Sequence, residues 1–466
     1  MVDLGHHPKI KLMNLAEVRE VRGFVGNFEV DIFQKARKVN YDTCTSCGTC
    51  WQKCPVKVPS EFDLSLGTRT AIYLPFAQAV PNKPSVDTAN CRYINYLRFV
   101  ESGAVGKKPP ECRICERLCP SGSIDWKQQD EIITEQFGAI IVATGFQTFD
   151  HAVYGEYGGR RYGDVINSLQ LERMLSASGP TGGEVVRPSD GVHPKTVVFV
   201  SCVGSRDDRV GRSYCSGVCC MYIAKQSILL KEHDPEVQSY VFYIDIRAGR
   251  KGYEEFIRKA QEEAGTIYLR GRVSKIYQDG KKLIVQGEDS LIGRQVEIGV
   301  DLVVLATGIE PSVGAAELAQ TLNISCDTNR FLIEAHPKLR PVETQTDGVF
   351  VAGCAVGPRD IPDCVAHGSA AAAKVLGLFS KDALATNPMT AQVNVAMCEG
   401  CLLCQQVCPY KAIETTVLRD SRVVAEVNES LCKGCGLCVA ACRTGALNLR
   451  GFSNEQLLEQ VKALCR

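Results

Sequence analysis

The stretch TVVFVSCVGSRDDRVGRSYCSGVCC at residues 196–220 decides the fold. Its first five residues are β-branched or aromatic, which is typical of a strand buried in a parallel sheet. A helix is predicted from about Tyr214 to His233, a second strand at SYVFYIDI (residues 239–246), and a second helix from Tyr253 to Ala264. This alternation of strands and helices predicts an α/β unit built on a parallel sheet.

Four cysteines belong to this unit: Cys202 ends the first strand, and Cys215, Cys219 and Cys220 lie at the start of the predicted helix. A dinucleotide-binding crossover requires G-x-G-x-x-G there, so that a pyrophosphate can approach the helix N-terminus. This chain has VSCVGSRD instead, and we expect a 4Fe-4S cluster in place of the dinucleotide phosphates. Buried thiols or a redox pair are the alternative, although adjacent cysteines make poor disulfide geometry.

Two further parts of the chain carry closely spaced cysteines. The spacing C-x(2)-C-x(2)-C-x(3)-C is that of bacterial ferredoxins, in which the fourth cysteine ligates the neighbouring cluster. Structural zinc is the alternative, but zinc sites come as two pairs separated by a longer spacer. Applied to this chain, the crossing rule predicts four groups: Cys44, Cys47, Cys50 and Cys119; Cys54, Cys91, Cys112 and Cys115; Cys398, Cys401, Cys404 and Cys442; and Cys408, Cys432, Cys435 and Cys438.

Cysteine is the outlier of the composition, with 24 in 466 residues. A chain of this length with 45% apolar residues has room for about three domains and needs no disulfides in place of a core. Five groups of four account for 20 of the 24 cysteines and predict five 4Fe-4S clusters. The remaining four are expected to be ordinary thiols: Cys326, Cys354, Cys364 and Cys465.

Charge and hydropathy limit the partners. Lys and Arg number 53, as do Asp and Glu, so no net field attracts nucleic acid or an anionic membrane. The N-terminal sequence lacks a signal-peptide apolar region, and no run of 18 apolar residues occurs. We therefore expect a soluble protein in the reducing cytoplasm, without membrane insertion.

Three separated segments resemble flavoproteins of the thioredoxin reductase type: ATG at residues 143–145, ATG at residues 306–308, and GVFVAGC at residues 348–354 with the helix after it. The resemblance implies an α/β core of two dinucleotide domains, here with an inserted and a C-terminal ferredoxin domain of two 4Fe-4S clusters each. It also implies that the helix N-terminus points at a flavin ring, where its dipole stabilises negative charge. Cys354 stands where those enzymes have Asp, and His367 is expected to touch the ring or to cap the helix. The implied flavin-binding residues are Thr144, Gly145, Thr307, Gly308, Gly353, Cys354, Pro362, Asp363 and Val365.

With the cysteine groups in this order, essentially all 466 residues resemble the HdrA family, the iron–sulfur A-subunits of heterodisulfide reductases. The resemblance implies FAD, several 4Fe-4S clusters and flavin-based electron bifurcation. The implied partners are heterodisulfide reductase B- and C-like subunits, a hydrogenase or dehydrogenase that delivers electrons, and ferredoxin. It also implies a catalytic lysine near the reactive edge of the flavin, which Lys225 matches. Lys225 shares a predicted helical stripe with Tyr214, Val218, Met221 and Ile228, and pairing with a carboxylate is its alternative role.

The chain departs from that family in one respect. Full-length members begin with a βαβ unit carrying G-x-G-x-x-G, whereas this chain begins at a hairpin near Glu20 and has no such motif. We expect FAD to be shared with a partner chain that supplies the Rossmann half. The alternatives are a flavin-free polyferredoxin adaptor that connects other redox subunits, and an NAD(P)H-dependent reductase resembling the small subunit of glutamate synthase. The second dinucleotide fingerprint that such a reductase needs is absent.

The predicted domain order alternates flavin-domain and cluster-binding segments. Residues 158–190, rich in glycine and charge, are expected to form a surface loop. The predicted segments are a hairpin of the FAD domain (1–40), an inserted ferredoxin-like domain (41–130), an FAD-domain segment (131–194), a Rossmann-like domain with a 4Fe-4S cluster (195–312), a C-terminal FAD-domain segment (313–385) and a C-terminal ferredoxin domain (386–466).

Overall fold

The computed structural model describes residues 2–210, 212–384 and 388–465. These residues form two compact units, each made of separate stretches of the chain. The first unit comprises the chain up to residue 17 with residues 33–133 and 148–309, and the second comprises residues 18–32, 134–147 and 310 onward. The predicted domain boundary between residues 385 and 386 lies outside the described residues, and the other predicted boundaries stay predictions.

A five-stranded parallel sheet forms the core of the first unit. In spatial order its strands are Val165–Asn167, Leu302–Thr307, Thr196–Val203, Gln238–Tyr243 and Ile267–Arg270. Every residue of Leu302–Thr307 is buried. Val197 and Phe199 belong to one apolar cluster and Val198 and Val200 to another, as expected for alternate residues on the two faces of a covered sheet. The predicted parallel α/β unit is confirmed.

Three helices of eight or more residues accompany this sheet: Ser168–Leu175, Cys219–His233 and Tyr253–Glu262. The helix predicted to start at Tyr214 starts instead at Cys219. Gly217 has a φ of +68°, a left-handed conformation that a continuing helix does not accept. The residues before Cys219 therefore form a loop, and Tyr214 and Val218 are not part of the helical stripe.

The prediction of a surface loop over residues 158–190 is wrong at its centre. Val165–Asn167 is a buried strand, and in the following helix Leu171 and Met174 are buried. Asn167 caps that helix: its side chain accepts a hydrogen bond from Gln170 N, and the Gln170 side chain accepts one from Asn167 N, both at 2.9 Å. This reciprocal capping box was the available signal, and the surrounding glycines and charges obscured it.

The rest of the first unit consists of short elements and one antiparallel sheet. The sheet pairs Val273–Asp279, Lys282–Asp289 and Arg294–Val300. The sequence predicts short strands at VSKIYQ (residues 273–278) and KLIVQG (residues 282–287), whereas the third strand was not predicted. In the third strand, Val296, Ile298 and Val300 alternate with Glu297 and Gly299, and this period of two is a usable strand signal. The remaining strands are Lys57–Pro59, Thr68–Thr70, Ile72–Tyr73 and Ser85–Val86, and the remaining helices are Val2–His6, Thr49–Gln52, Arg92–Glu101 and Ile114–Arg117.

The second unit begins with the predicted hairpin, seen as strands Ala16–Phe24 and Asn27–Gln34, whose sheet also includes Glu131–Phe137. Strands Ile140–Val142 and Val349–Val351 pair in parallel. The other strands of this part of the chain are Phe146–Thr148, Ile309–Pro311, Ala391–Val393, Ile413–Val417, Val423–Val427 and Leu447–Leu449, and the helices are Ala315–Thr321, Ile361–Phe379, Leu403–Val407, Leu437–Ala441 and Asn454–Leu464. Among the described residues, no helix combines the length and apolarity needed to cross a membrane.

Candidate iron–sulfur centres and flavin segments

The first predicted cysteine group lies in a tight loop of the inserted segment. Cys50 is buried on the helix Thr49–Gln52, just after Cys44 and Cys47. Burial raises the pKa of the Cys50 thiol to about 11, with smaller contributions from charges on Cys44, Cys119 and Cys47. The structure thus brings Cys119 to the three closely spaced thiols.

The second group surrounds an enclosed space in the same segment. Cys54, Cys91, Cys112 and Cys115 line this space together with apolar side chains such as Ile72. Burial raises the pKa of Cys115 to about 12, and charges on Cys91, Cys54 and Cys112 add to it. Four thiols from distant parts of the insert therefore share one apolar environment, in the combination that the crossing rule predicts.

The C-terminal segment repeats this arrangement. Cys408, Cys432, Cys435 and Cys438 line another enclosed, mostly apolar space, and burial raises the pKa of Cys438 to about 11. In the other C-terminal cysteine group, burial raises the pKa of Cys404, and charges on Cys398 and Cys401 raise it further. Cys442 packs in the same apolar core as Cys404.

Backbone N–H groups point at several of these sulfurs. Ser123 N lies 3.3 Å from Cys119 Sγ, Ala412 N lies 3.3 Å from Cys408 Sγ, and Ala391 N lies 3.4 Å from Cys432 Sγ. Hydrogen-bond donors directed at sulfur suit thiolates, the form that ligates iron. Within the described ranges, no three His, Cys, Asp or Glu side chains are grouped as a site for a single metal ion. The four-thiol spaces and their N–H donors fit 4Fe-4S clusters.

The remaining group lies at the carboxyl edge of the parallel sheet, where open α/β sheets bind their ligands. Cys202 lies near the end of the strand Thr196–Val203, with a φ of +60°, and Cys219 and Cys220 begin the next helix. A hydrogen bond with Cys219 lowers the pKa of Cys220 to about 6, and hydrogen bonds with Cys202 and Cys220 raise that of Cys219. Cys219 therefore lies within hydrogen-bond reach of both Cys202 and Cys220.

Cys215 approaches this group from the loop before the helix. Gly217 N donates to its sulfur at 3.3 Å. Arg206 forms an ion pair with Asp245 nearby. Burial lowers the pKa of the Arg206 guanidinium. The ion pair with Asp245 and the charges on Cys202 and Cys215 raise it, and the net shift is upward. A fixed cation thus lies beside the thiols, which favours their anionic form.

Lys225 forms an ion pair with Glu172, which lies on the helix Ser168–Leu175. The side chain of Lys225 is 45% exposed. Two residues of the predicted stripe, Met221 and Ile228, lie on the same helix as Lys225. The structure therefore shows the carboxylate pairing that was its alternative role, while a role toward flavin stays a prediction.

The predicted flavin-binding residues fall in both units. In the second unit, Thr144 and Gly145 follow the strand Ile140–Val142, and Gly353 and Cys354 follow its parallel partner Val349–Val351. Because the two strands are parallel, both pairs lie at the same edge of that sheet. Pro362, Asp363 and Val365 lie in the first turns of the helix Ile361–Phe379. In the first unit, Thr307 ends the strand Leu302–Thr307 and Gly308 follows it.

His367 does not cap the helix Ile361–Phe379, because Asp360 does: its side chain accepts a hydrogen bond from Asp363 N at 2.9 Å. His367 Nε2 lies 3.5 Å from Glu334 Oε1. Its Nδ1 is buried without a hydrogen-bond partner, and burial lowers the pKa of the imidazole. Nδ1 is therefore free to contact a ligand, and the contact of His367 with the flavin ring stays a prediction.

An apolar cavity of about 460 Å³ in the second unit was not predicted in detail. Val18, Phe137, Ile141 and Leu318 are among its lining residues, and Ile141 remains 44% exposed. Its strand Ile140–Val142 belongs to a sheet of only two strands among the described residues. The signal in the sequence was the ATG strand without an adjacent Rossmann motif.

Two protein-family models match the chain. One, described as a 4Fe-4S dicluster domain, matches residues 397–446, and the other, described as a 4Fe-4S binding domain, matches residues 37–60. These matches cover the C-terminal cysteine groups and the first cysteine run of the insert. Together with the mixed α/β fold, they confirm a core that carries two 4Fe-4S ferredoxin regions.

The chain also resembles curated proteins. It is 46% identical over 463 residues to the iron-sulfur A-subunit of the CoB--CoM heterodisulfide reductase of Methanocaldococcus jannaschii, covering 99% of this chain and 68% of that protein. It is 44% identical over 414 residues to the A-subunit of the H(2):CoB-CoM heterodisulfide,ferredoxin reductase of Methanothermobacter thermautotrophicus, covering 89% of this chain and 60% of that one. Among solved structures, T. acidophilum thioredoxin reductase aligns with 53% of this chain and 68% of its own, with 17% identity and a TM-score of 0.34.

Proposed function

Because the chain belongs to the HdrA family of heterodisulfide reductase A-subunits, which are oxidoreductases, we propose that it relays electrons between FAD, ferredoxin and partner subunits of a heterodisulfide-reductase-like complex. The observation that carries this proposal is the convergence of Cys54, Cys91, Cys112 and Cys115 on one enclosed space, which matches the crossed ligand pattern of two-cluster ferredoxins. The chain therefore acts as an electron conduit and works only within a complex.

The proposal assigns five 4Fe-4S clusters, one to each cysteine group. Each cluster would carry one electron at a time. Four clusters lie in the two ferredoxin regions, and the fifth lies at the carboxyl edge of the parallel sheet between Cys202 and the helix that begins at Cys219. A hydrogen bond with Cys219 and the charge of Arg206 lower the pKa of Cys202, which supports an anionic ligand set.

The flavin would be held by the segments that follow the strands Ile140–Val142 and Val349–Val351. When bound, FAD supplies the exchange between electron pairs and single electrons. Asp360 caps the N-terminus of the helix Ile361–Phe379. The helix dipole is positive at this N-terminus and stabilises negative charge placed there. The proposal takes Lys225 as the catalytic cation of the flavin, the role that the family resemblance implies for it.

We propose that a partner polypeptide supplies the Rossmann half of the flavin domain. The apolar cavity that includes Val18, Ile141 and Leu318 supports this, because it borders the strand Ile140–Val142, whose sheet has two strands among the described residues and leaves an edge open to pairing. The relatives also contain more sequence than the matched part, since the chain covers 68% of the M. jannaschii protein.

We infer that the complex bifurcates electrons, taking a pair from a hydrogenase or dehydrogenase and passing one electron to ferredoxin and one to B- and C-like subunits. Support comes from the relatives: the one in Methanococcus maripaludis is named as the A-subunit of an H(2)/formate:CoB-CoM heterodisulfide,ferredoxin reductase. That name combines an electron donor, a disulfide and ferredoxin in one complex.

The second candidate function is a flavin-free polyferredoxin adaptor, which the four-thiol spaces of the insert and of the C-terminal segment favour, because such groups bind clusters without a flavin. Anaerobic purification with its copurifying subunits separates the two candidates. FAD at a fixed ratio to this chain and a partner supports the flavin-dependent relay, whereas full iron content without flavin in the assembled complex supports the adaptor.

A further inference from the structure

Two cysteines outside the cluster groups lie next to each other in the second unit. Cys354 Sγ lies 3.7 Å from Cys364 Sγ. Cys354 lies in the short turn Gly353–Ala355, and Cys364 lies in the first turn of the helix Ile361–Phe379. We propose that Cys354 and Cys364 are a thiol–disulfide pair, a reversible two-electron oxidation site distinct from the iron–sulfur groups.

The geometry allows the bond to close without a change of fold. A disulfide has a sulfur–sulfur distance of about 2.05 Å, so the two atoms must approach by roughly 1.7 Å. Rotation about χ1 between staggered positions moves a cysteine sulfur further than that. Gly353 leaves space here, because a Cβ at this position would lie 3.7 Å from Cys364 Sγ.

The two thiols differ in access. Cys354 is buried, and its sulfur donates a hydrogen bond to Arg359 O at 3.5 Å, whereas Cys364 is partly exposed. Cys364 therefore meets a dissolved oxidant first, and Cys354 resolves the product. Burial and the neighbouring Cys354 raise the pKa of Cys364 to about 11, so the thiolate is a minor species at neutral pH and oxidation is slow.

The oxidant is a low-molecular-weight disulfide, RSSR. The Cys364 thiolate forms a bond to one of its sulfurs, the RS–SR bond breaks, and the first RS⁻ leaves and takes up the proton that Cys364 released. The Cys354 thiolate then attacks Cys364 Sγ and releases the second RS⁻, which takes up the proton from Cys354. The two cysteines lose two electrons and two protons, and RSSR becomes two RSH. An excess of dithiol reverses the reaction.

Trypsin provides a direct test because Arg359 lies between the two cysteines. Cleavage gives residues 339–359, with Cys354, and residues 360–374, with Cys364, each containing one cysteine. The cluster-loaded chain is incubated anaerobically with glutathione disulfide at pH 8, the remaining thiols are alkylated, and the digest is analysed by mass spectrometry. The expected product is a peptide of 339–359 linked to 360–374 that dithiothreitol removes, with unchanged iron content.

Two variants control the assignment. Cys364→Ser should abolish the linked peptide, whereas Cys326→Ser, which changes another cysteine outside the cluster groups, should leave its yield unchanged. The proposal is overturned if both peptides of the wild-type chain are recovered alkylated or as separate glutathione adducts. Linkage of either peptide to a cluster cysteine, or loss of iron in step with linkage, also overturns it.

Discussion

Lys225 and Glu172 form an ion pair that joins the helix Cys219–His233 to the helix Ser168–Leu175. Their side chains are 45% and 39% exposed, so the pair contributes about 0–1 kcal/mol to stability. Gln226 Nε2 also donates to Glu172 Oε2, at 3.1 Å. The carboxylate therefore orients Lys225 without being essential to the fold, and the charge of the lysine can be tested separately from its pairing.

We predict that Lys225→Ala shifts the flavin midpoint potentials of the assembled complex while iron content stays constant. A cation beside the ring stabilises its anionic reduced states, so its removal makes them harder to form. Lys225→Arg should shift the potentials less, and Glu172→Gln controls for loss of the ion pair. Anaerobic spectroelectrochemical titration measures the effect, and unchanged potentials in Lys225→Ala would refute the catalytic role.

Double substitutions test the crossed ligand pattern of the insert. Cys54→Ala and Cys115→Ala should each remove about four irons per chain, and the double variant should lose no more, because both thiols ligate one cluster. Cys54→Ala combined with Cys50→Ala should lose about eight, because these neighbours in sequence belong to different clusters. Cys465→Ala, an exposed cysteine outside the groups, is the control. Loss of four irons by the Cys50 and Cys54 pair would refute the crossing.

The capping box of Asn167 should stabilise the sheet edge. Asn167→Ala removes one partner of a reciprocal cap and should cost about 1 kcal/mol, seen as faster amide hydrogen exchange over residues 168–175 and a lower Tm. Ser453 forms a matching capping box with Gln456 on the helix Asn454–Leu464, none of whose described residues is buried. Ser453→Ala should therefore speed exchange only in that helix. A Tm that is the same for Asn167→Ala and wild type would contradict this prediction.

The apolar cavity of the second unit provides a partner test. Ile141→Asp places a charge in this surface and should reduce copurification of the flavin-binding partner and of FAD at least tenfold, because burying an unpaired carboxylate is costly. Leu291→Asp, at a residue 65% exposed in the first unit, is the matched control. Equal partner recovery for both variants would argue against this surface as the docking site.

The central sheet was predictable from the sequence because its strands are buried on both faces and read as continuous apolar runs, as in residues 302–307. The cysteine groups were predictable because ligand spacing is set by the cluster rather than by the surrounding fold. The periodicity of apolar residues gave wrong predictions where the backbone conformation or a short length decides where an element lies. The left-handed Gly217 delays the helix to Cys219, and the strand Val165–Asn167 is too short to show any period.

Contacts between distant side chains left no sequence signal. The pairing of Lys225 with Glu172 depends on two helices packed against one sheet, and the approach of Cys354 to Cys364 depends on how a turn meets a helix. Neither residue type nor spacing predicts such contacts. The sequence therefore predicts which cysteines form a group, whereas the structure located the side chains around them.

Iron and acid-labile sulfide per chain, measured on anaerobically purified protein with the chain quantified by amino-acid analysis, test the central claim most directly. Five 4Fe-4S clusters predict about twenty irons and about twenty sulfides per chain. A reproducible value of about sixteen in protein with all cysteine groups intact would show that one group binds no cluster. Iron without an equal amount of sulfide would contradict the account as a whole.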